Sequence, residues 1–153
     1  MGSFKRCLVD TPILVRLSNS NDVLHLVALH AVSELHLQNV QLYITPQNLI
    51  EFPNVATRSI SENGLGYSID EVEEKAKEFE YLFILLDDVP TIYYSWKTFV
   101  HQAGIIGKQV HDARLIACCK AHALDSVLTF NSRHFVRFLP HFSGLSVIDP
   151  HLI

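Results

Sequence analysis

Asp10, Glu51 and Asp112 lie far apart in the chain, yet each stands beside apolar sequence outside the obvious charge runs. Asp10 ends the short run Phe4–Val9, Glu51 follows Leu49-Ile50 and precedes Phe52, and Asp112 opens a stretch with apolar residues at helical spacing. Carboxylates that converge from separate segments suit hard divalent cations such as Mg²⁺ or Mn²⁺, which take oxygen ligands. Two such ions can supply an in-line attacking water, neutralise a phosphate and assist the leaving oxygen, which is the chemistry of phosphodiester hydrolysis. Each acid also has an ordinary reading. Asp10 suits a helix cap, and Asp112 complements the positive end of a helix. Glu51 is harder to explain that way, because a charge among apolar neighbours needs solvent or a partner.

The elements that must carry these acids alternate. Phe4–Val9 reads as a buried strand, with a helix starting near Pro12, so Asp10 falls at a strand's carboxyl end. Val23, Leu26, Val27, Leu29, Val32 and Leu35 mark a crossover helix over 23–37. Leu42-Tyr43-Ile44 is the second strand, and Thr45-Pro46 provides an N-cap and first helical residue for a helix running towards Arg58. A capping box, Ser68 with Glu71, opens a helix through Phe79 whose Glu71, Glu73, Glu74, Lys75 and Lys77 form a solvated face. A third strand is expected at Leu82–Leu86, a helix from Pro90 to Val100, and a helix from Val110 to Ala123 with Asp112 in its first turn. Ser126–Thr129 and Leu145–Ile148 complete the strands. This alternation predicts a three-layer α/β/α fold with a mostly parallel sheet of four or five strands, because parallel neighbours need long crossovers. In such folds function gathers beyond the carboxyl ends of the strands, where Asp10 and Asn131 both fall.

At 153 residues and 48% apolar, the chain is sized for a single domain, residues 1–153, with a core that needs no disulfides. Cys7, Cys118 and Cys119 are an odd set with a vicinal pair, which fits buried thiols in a reducing cytoplasm. No apolar stretch reaches the length of a membrane span, and no leader pattern opens the chain. The net charge of −4 argues against a general basic nucleic-acid binder, unless part of the acidic excess lies in one cleft and is neutralised by cations. The nine histidines lack cysteine partners at zinc spacing, so zinc is not expected. His111, adjacent to Asp112, reads as a surface histidine. Neither a phosphate-binding Gly-Lys-Ser/Thr loop nor a Gly-x-Ser-x-Gly elbow is present.

Four segments have a recognisable wording: Leu8-Val9-Asp10-Thr11-Pro12, Asn48-Leu49-Ile50-Glu51-Phe52, Val110-His111-Asp112-Ala113-Arg114 and Leu128-Thr129-Phe130-Asn131-Ser132-Arg133-His134-Phe135. In this order and spacing the chain resembles the PIN-domain ribonucleases, including the VapC-type toxins. The resemblance implies a metal-dependent endoribonuclease with Asp10, Glu51 and Asp112 as carboxylate positions, and Mg²⁺ or Mn²⁺ as cofactor. Asn131 is the best match to a fourth position, where an amide oxygen binds metal without adding charge. His134 stands where many members carry Asp, and Pro12 where many carry Asn. The resemblance further implies an RNA substrate, a cognate antitoxin whose segment occupies the acidic groove, and a homodimer for which the apolar early helices could furnish the interface or simply fill the core.

Supporting roles are expected for Thr11, which could orient Asp10 or a water or else close a turn, and for Thr129 beside the fourth position. Asn54 could present its amide to the cleft. Arg58, Lys108 and Arg114 are candidates for RNA phosphate, although Arg114 could instead anchor a neighbouring carboxylate. The second functional reading is a PIN scaffold with little or no catalysis that binds RNA or a protein partner. A receiver-like signalling domain is disfavoured, since Asp87 or Asp88 with Lys120 does not supply its arrangement.

Overall fold

The computed structural model describes residues 3–153. β1 (Arg6–Val9), β2 (Gln41–Ile44), β3 (Ile84–Leu85), β4 (Ser126–Leu128) and β5 (Ser146–Ile148) form one sheet in the order β3-β2-β1-β4-β5. Every neighbouring pair is parallel, with Leu8 opposite both Tyr43 and Val127. Helices therefore make the crossovers: α1 (Thr11–Ser18), α2 (His25–Leu37), α3 (Pro46–Ala56), α4 (Ile69–Leu82), α5 (Pro90–Ala103), α6 (Gln109–Ala121) and the short α7 (Ser132–Val136).

Strand alternation divides the core between the two faces of the sheet. Cys7, Val9, Leu42, Ile44 and Leu128 pack towards α1 to α4, with Phe52 and Phe79 meeting edge to face at 5.0 Å. Leu8, Tyr43 and Val127 pack the other way, against Phe99, Leu115, Ile116 and Phe135 of α5 to α7. The expected α/β/α layering follows from this alternation.

Three local expectations need correction. β3 is a two-residue edge strand rather than 82–86, because α4 continues past Phe79 to Leu82 and leaves only Ile84 and Leu85 to pair with β2. α3 stops at Ala56, short of Arg58, and a single 3₁₀ turn follows at Ile60–Glu62. The buried stripe of α2 is Ala28, Ala31, Val32 and Leu35, while Val23 and Leu26 are 92% and 73% exposed. Two alanines share the packed side with Val32 and Leu35, while Leu26 and Leu37 face outward.

Candidate active site

β1 delivers Asp10 to the carboxyl edge of the sheet, where its backbone N–H donates to Leu128 O at 3.0 Å and ties it to β4. Asp10 is also the N-cap of α1, with Oδ1 accepting from Thr11 N–H at 2.9 Å. The ordinary capping role is thus real, but it uses one oxygen only. Oδ2 accepts from the Thr129 hydroxyl at 2.7 Å, and that hydroxyl accepts in turn from Asn131 N–H at 2.9 Å. Thr129 is fully buried and joins the ends of β1 and β4 through side-chain chemistry.

Glu51 reaches the same edge from α3. Its Oε2 accepts from the Thr11 hydroxyl and its Oε1 from Gln47 Nε2, both at 2.7 Å. Beneath it lies the wholly buried Asn48, whose Nδ2 donates to Val9 O at 3.1 Å and to Thr11 Oγ1 at 3.0 Å. Asn48 Oδ1 accepts from Thr45 N–H and closes the capping box that starts α3. One amide side chain therefore starts the helix and locks it to β1. Gln47 also donates to His111 O at 2.9 Å, linking α3 to the first turn of α6, from which Asp112 projects.

These elements enclose a cleft of about 1040 Å³ lined by Asp10, Thr11, Glu51, Asn54, Arg58, His111, Asp112 and Asn131, together with Arg16 and Lys108. Its electrostatics are those of like charges held together. Burial raises the Asp10 carboxyl to about 7, and repulsion from Asp112 and Glu51 adds to the rise against the Thr129 and Thr11 hydrogen bonds. Asp112 is raised as well, first by burial and then by Glu51, with His134 the main opposing influence. The strongest influences on Asp10 thus include two more carboxylates and no cationic side chain.

Among the described residues, no group of three or more His, Cys, Asp or Glu already stands in a metal-holding arrangement. Asp10 and Glu51 each give both oxygens to protein donors, and Asp112 faces His134. The donor set nevertheless suits a hard divalent cation, since three oxygen-bearing acids line one cleft. Asn131 adds an amide: it is the N-cap residue of α7 but its side chain makes no capping bond.

The remaining sequence candidates divide. Asn54 and Arg58 line the cleft, and Arg58 Nε donates to Asn54 O at 3.0 Å. Gly64 closes the adjoining loop so tightly that a Cβ there would stand 2.0 Å from Arg58 O. Arg114 is held away from the cleft wall, donating from Nη1 to Gln47 Oε1 at 3.2 Å and from Nη2 to Asp88 at 3.0 Å, which is the anchoring role left open for it. His111, read as a surface residue, is exposed but does line the cleft. Sequence reasoning did not single out Gln47 or Asn48. The only signal was polar residues immediately after a Thr-Pro helix start.

The sequence model of the PIN domain matches residues 7–138. No curated protein sequence matches the chain. Among solved structures, the chain is similar to VapBC2 from Rickettsia felis bound to a DNA fragment from their promoter, with 16% identity, a TM-score of 0.66, and coverage of 94% of this chain and 98% of that one. VapBC from Salmonella typhimurium, also bound to DNA, gives 16% identity and a TM-score of 0.67 over 95% of this chain and 98% of that one. VapC20 from Mycobacterium tuberculosis, a sarcin-ricin loop cleaving toxin, gives 14% identity and a TM-score of 0.61 over 85% and 93%. At these identities the likeness is one of fold. With the family match spanning most of the chain and all four motifs at one sheet edge, the protein belongs to the PIN domain family.

Proposed function

We propose that this chain is a metal-dependent endoribonuclease, acting as a single domain in the cytoplasm and serving as the toxin of a toxin-antitoxin pair. The observation that carries the reading is the gathering of Asp10, Glu51 and Asp112, from three separate elements, on one cleft at the sheet edge. A buried carboxylate such as Asp10 is costly to ionise alone, and a bound cation would stabilise its charged form.

Asp10, Glu51 and Asp112 would hold Mg²⁺ or Mn²⁺, with Asn131 contributing an amide oxygen. The ion would neutralise phosphate charge and acidify a water. Thr129 and the β1–β4 pairing keep Asp10 fixed, while Thr11 and Gln47 aim Glu51. Arg58 and Lys108 line the same cleft and supply positive charge for the phosphates of an RNA strand. Arg16 is already paired with Asp22 and contributes less.

The partners follow from the same surfaces. An acidic cleft suits a cationic segment of a cognate antitoxin, and the related fold of the VapBC complexes supports such a partner. The outward Val23, Leu26 and Leu37 support a homodimer interface, since the core does not use them. No helix among the described residues is long and apolar enough to cross a membrane. The three cysteines are free and buried, in keeping with a reducing compartment.

The test is RNA cleavage by the purified chain with Mg²⁺ or Mn²⁺, by the Asp10→Asn and Asp112→Asn variants, and with chelator. The expected losses are about a hundredfold or more for each variant, the scale for removing an essential charge-stabilising group. Cleavage that survives chelation, or both substitutions, would overturn the assignment. Metal binding without any cleavage would leave a scaffold that binds RNA or protein.

A further inference from the structure

The cleft is longer than its three acids require. Its lining continues along α3 as an arm between that helix and α1, with Val15 and Arg16 on one side, Asn54, Val55 and Arg58 on the other, and Leu65 from the following loop. The arm is held in shape by the protein itself. The Tyr67 hydroxyl donates to Ser18 O at 2.6 Å and Gly66 N–H donates to Arg58 O at 2.8 Å, which ties the end of α1 and the chain after α3 together. Arg16 is neutralised by Asp22, so Arg58 is the arm's unpaired cation among the described residues. A track for phosphates alone would carry more positive charge. The half-buried Val15, Val55 and Leu65 offer instead an apolar floor on which a flat base can lie.

Asn54 follows Glu51 by three residues, so the two share a face of α3. Among the described residues its side chain makes no hydrogen bond, although Asn is a poor residue for a helix interior because its amide competes for backbone groups. The Asn54 carbonyl accepts from Arg58 Nε at 3.0 Å, which places that guanidinium one turn further from the acids. Asn63, the other amide of the arm without a side-chain bond, has a local explanation: its φ of 59° lies in the left-handed region that Asn tolerates. Asn54 has none.

We infer that this arm is a base-reading subsite, in which Asn54 pairs with the edge of an adenine beside the cleaved phosphate while Arg58 holds the phosphate beyond it. The inference rests on the nuclease reading proposed above and adds a sequence preference to it. An amide presents a donor and an acceptor side by side, which matches the acceptor N7 and the donor N6 amino group of adenine. Guanine shows two acceptors on that edge and cytosine an amino donor, so neither satisfies both halves of the amide. The target strand must be unpaired there, because side chains cannot enter the deep, narrow major groove of an RNA duplex.

The experiment cleaves a single-stranded RNA library of randomised sequence with the intact chain and Mn²⁺, and sequences the new ends. Wild type and Asn63→Gly are expected to favour adenine beside the cut by about tenfold, the scale of one bidentate pair. Asn54→Ala should abolish the preference, and Asn54→Asp, which carries acceptors only, should move it to cytosine, whose N4 amino group donates. A second measurement needs no cleavage. The nitrogen-labelled chain is titrated with adenosine or cytidine 5′-monophosphate in Mg²⁺, neither of which holds a phosphodiester bond, and the Asn54 side-chain amide resonance, identified by its loss in Asn54→Ala, is followed. It should shift at an adenosine nucleotide concentration about tenfold below that of the cytidine nucleotide. Cleavage without base preference, or with a preference that Asn54→Ala and Asn54→Asp leave unchanged, would overturn the subsite and leave the nuclease standing. If no RNA is cleaved, the nuclease reading fails and the titration decides the subsite alone: an adenosine-selective shift keeps it as a base-binding site, whereas an amide indifferent to both nucleotides removes it and leaves the arm to a protein partner.

Discussion

The Thr129 hydroxyl donates to Asp10 Oδ2 at 2.7 Å across 119 positions of sequence, a side-chain bond that joins the first and fourth motifs. Thr129→Val keeps the shape and removes the donor. The charged Asp10 then loses a buried partner and Asn131 N–H loses its acceptor, so the variant should be destabilised by about 1 to 3 kcal/mol. The loss should be larger at pH 8 than at pH 5, because the bond favours the ionised carboxylate. Urea denaturation at the two pH values measures this; equal losses at both would argue against the hydroxyl acting on a titrating Asp10.

Stability without metal should fall as pH rises. The folded Asp10 value of about 7 lies above its ordinary 3.8, so between these values the folded chain holds a proton that the unfolded chain has released. The protein is therefore favoured below about pH 4, loses stability up to about 7, and is flat beyond. At roughly 1.4 kcal/mol per unit, the decline is on the order of 4 kcal/mol. Asp112 acts in the same direction. Asp149, lowered mainly by the His151 backbone N–H, acts the opposite way but near the surface. Asp10→Asn should flatten most of this slope, and melting in chelator across pH 4 to 8 would reveal it.

Divalent cation should reverse the penalty. At a hundred times its dissociation constant, an ion that binds only the folded chain adds about 2.7 kcal/mol. For a domain of this size that corresponds to a rise in Tm of roughly 5 to 10 °C. The rise should appear at pH 8, shrink at pH 5 where Asp10 is protonated, and diminish in Asp10→Asn. A shift that is the same at both pH values would place the ion elsewhere.

Arg58 and Arg114 should separate kinetically. Arg58 lines the cleft, so Arg58→Ala should raise KM for RNA and lessen its salt dependence by about one counterion while leaving kcat nearly unchanged. Arg114 touches Gln47, which aims Glu51, so Arg114→Ala should lower kcat by about tenfold with little change in KM. Steady-state cleavage over a salt series distinguishes the two; matching behaviour would mean that Arg114 also meets RNA.

What the sequence determined by itself was whatever local chemistry dictates. Asp10-Thr11-Pro12 and Thr45-Pro46 state where a strand ends and a helix begins, Ser68 and Glu71 cap α4 as their spacing requires, and alternating elements demand a parallel sheet. The carboxylate positions were legible because each follows such a boundary. The tertiary structure decided the rest. Which face of α2 is buried was decided by its packing, which takes Ala28 and Ala31 inward and leaves Leu26 and Leu37 outside, and not by periodicity. The length of β3 depends on where α4 yields to pairing with β2. The bonds of Gln47 to His111, Asn48 to Val9 and Thr129 to Asp10, and the meeting of Asp112 with His134, join partners 22 to 119 positions apart, because such contacts depend on distance in space and leave no local pattern in the chain.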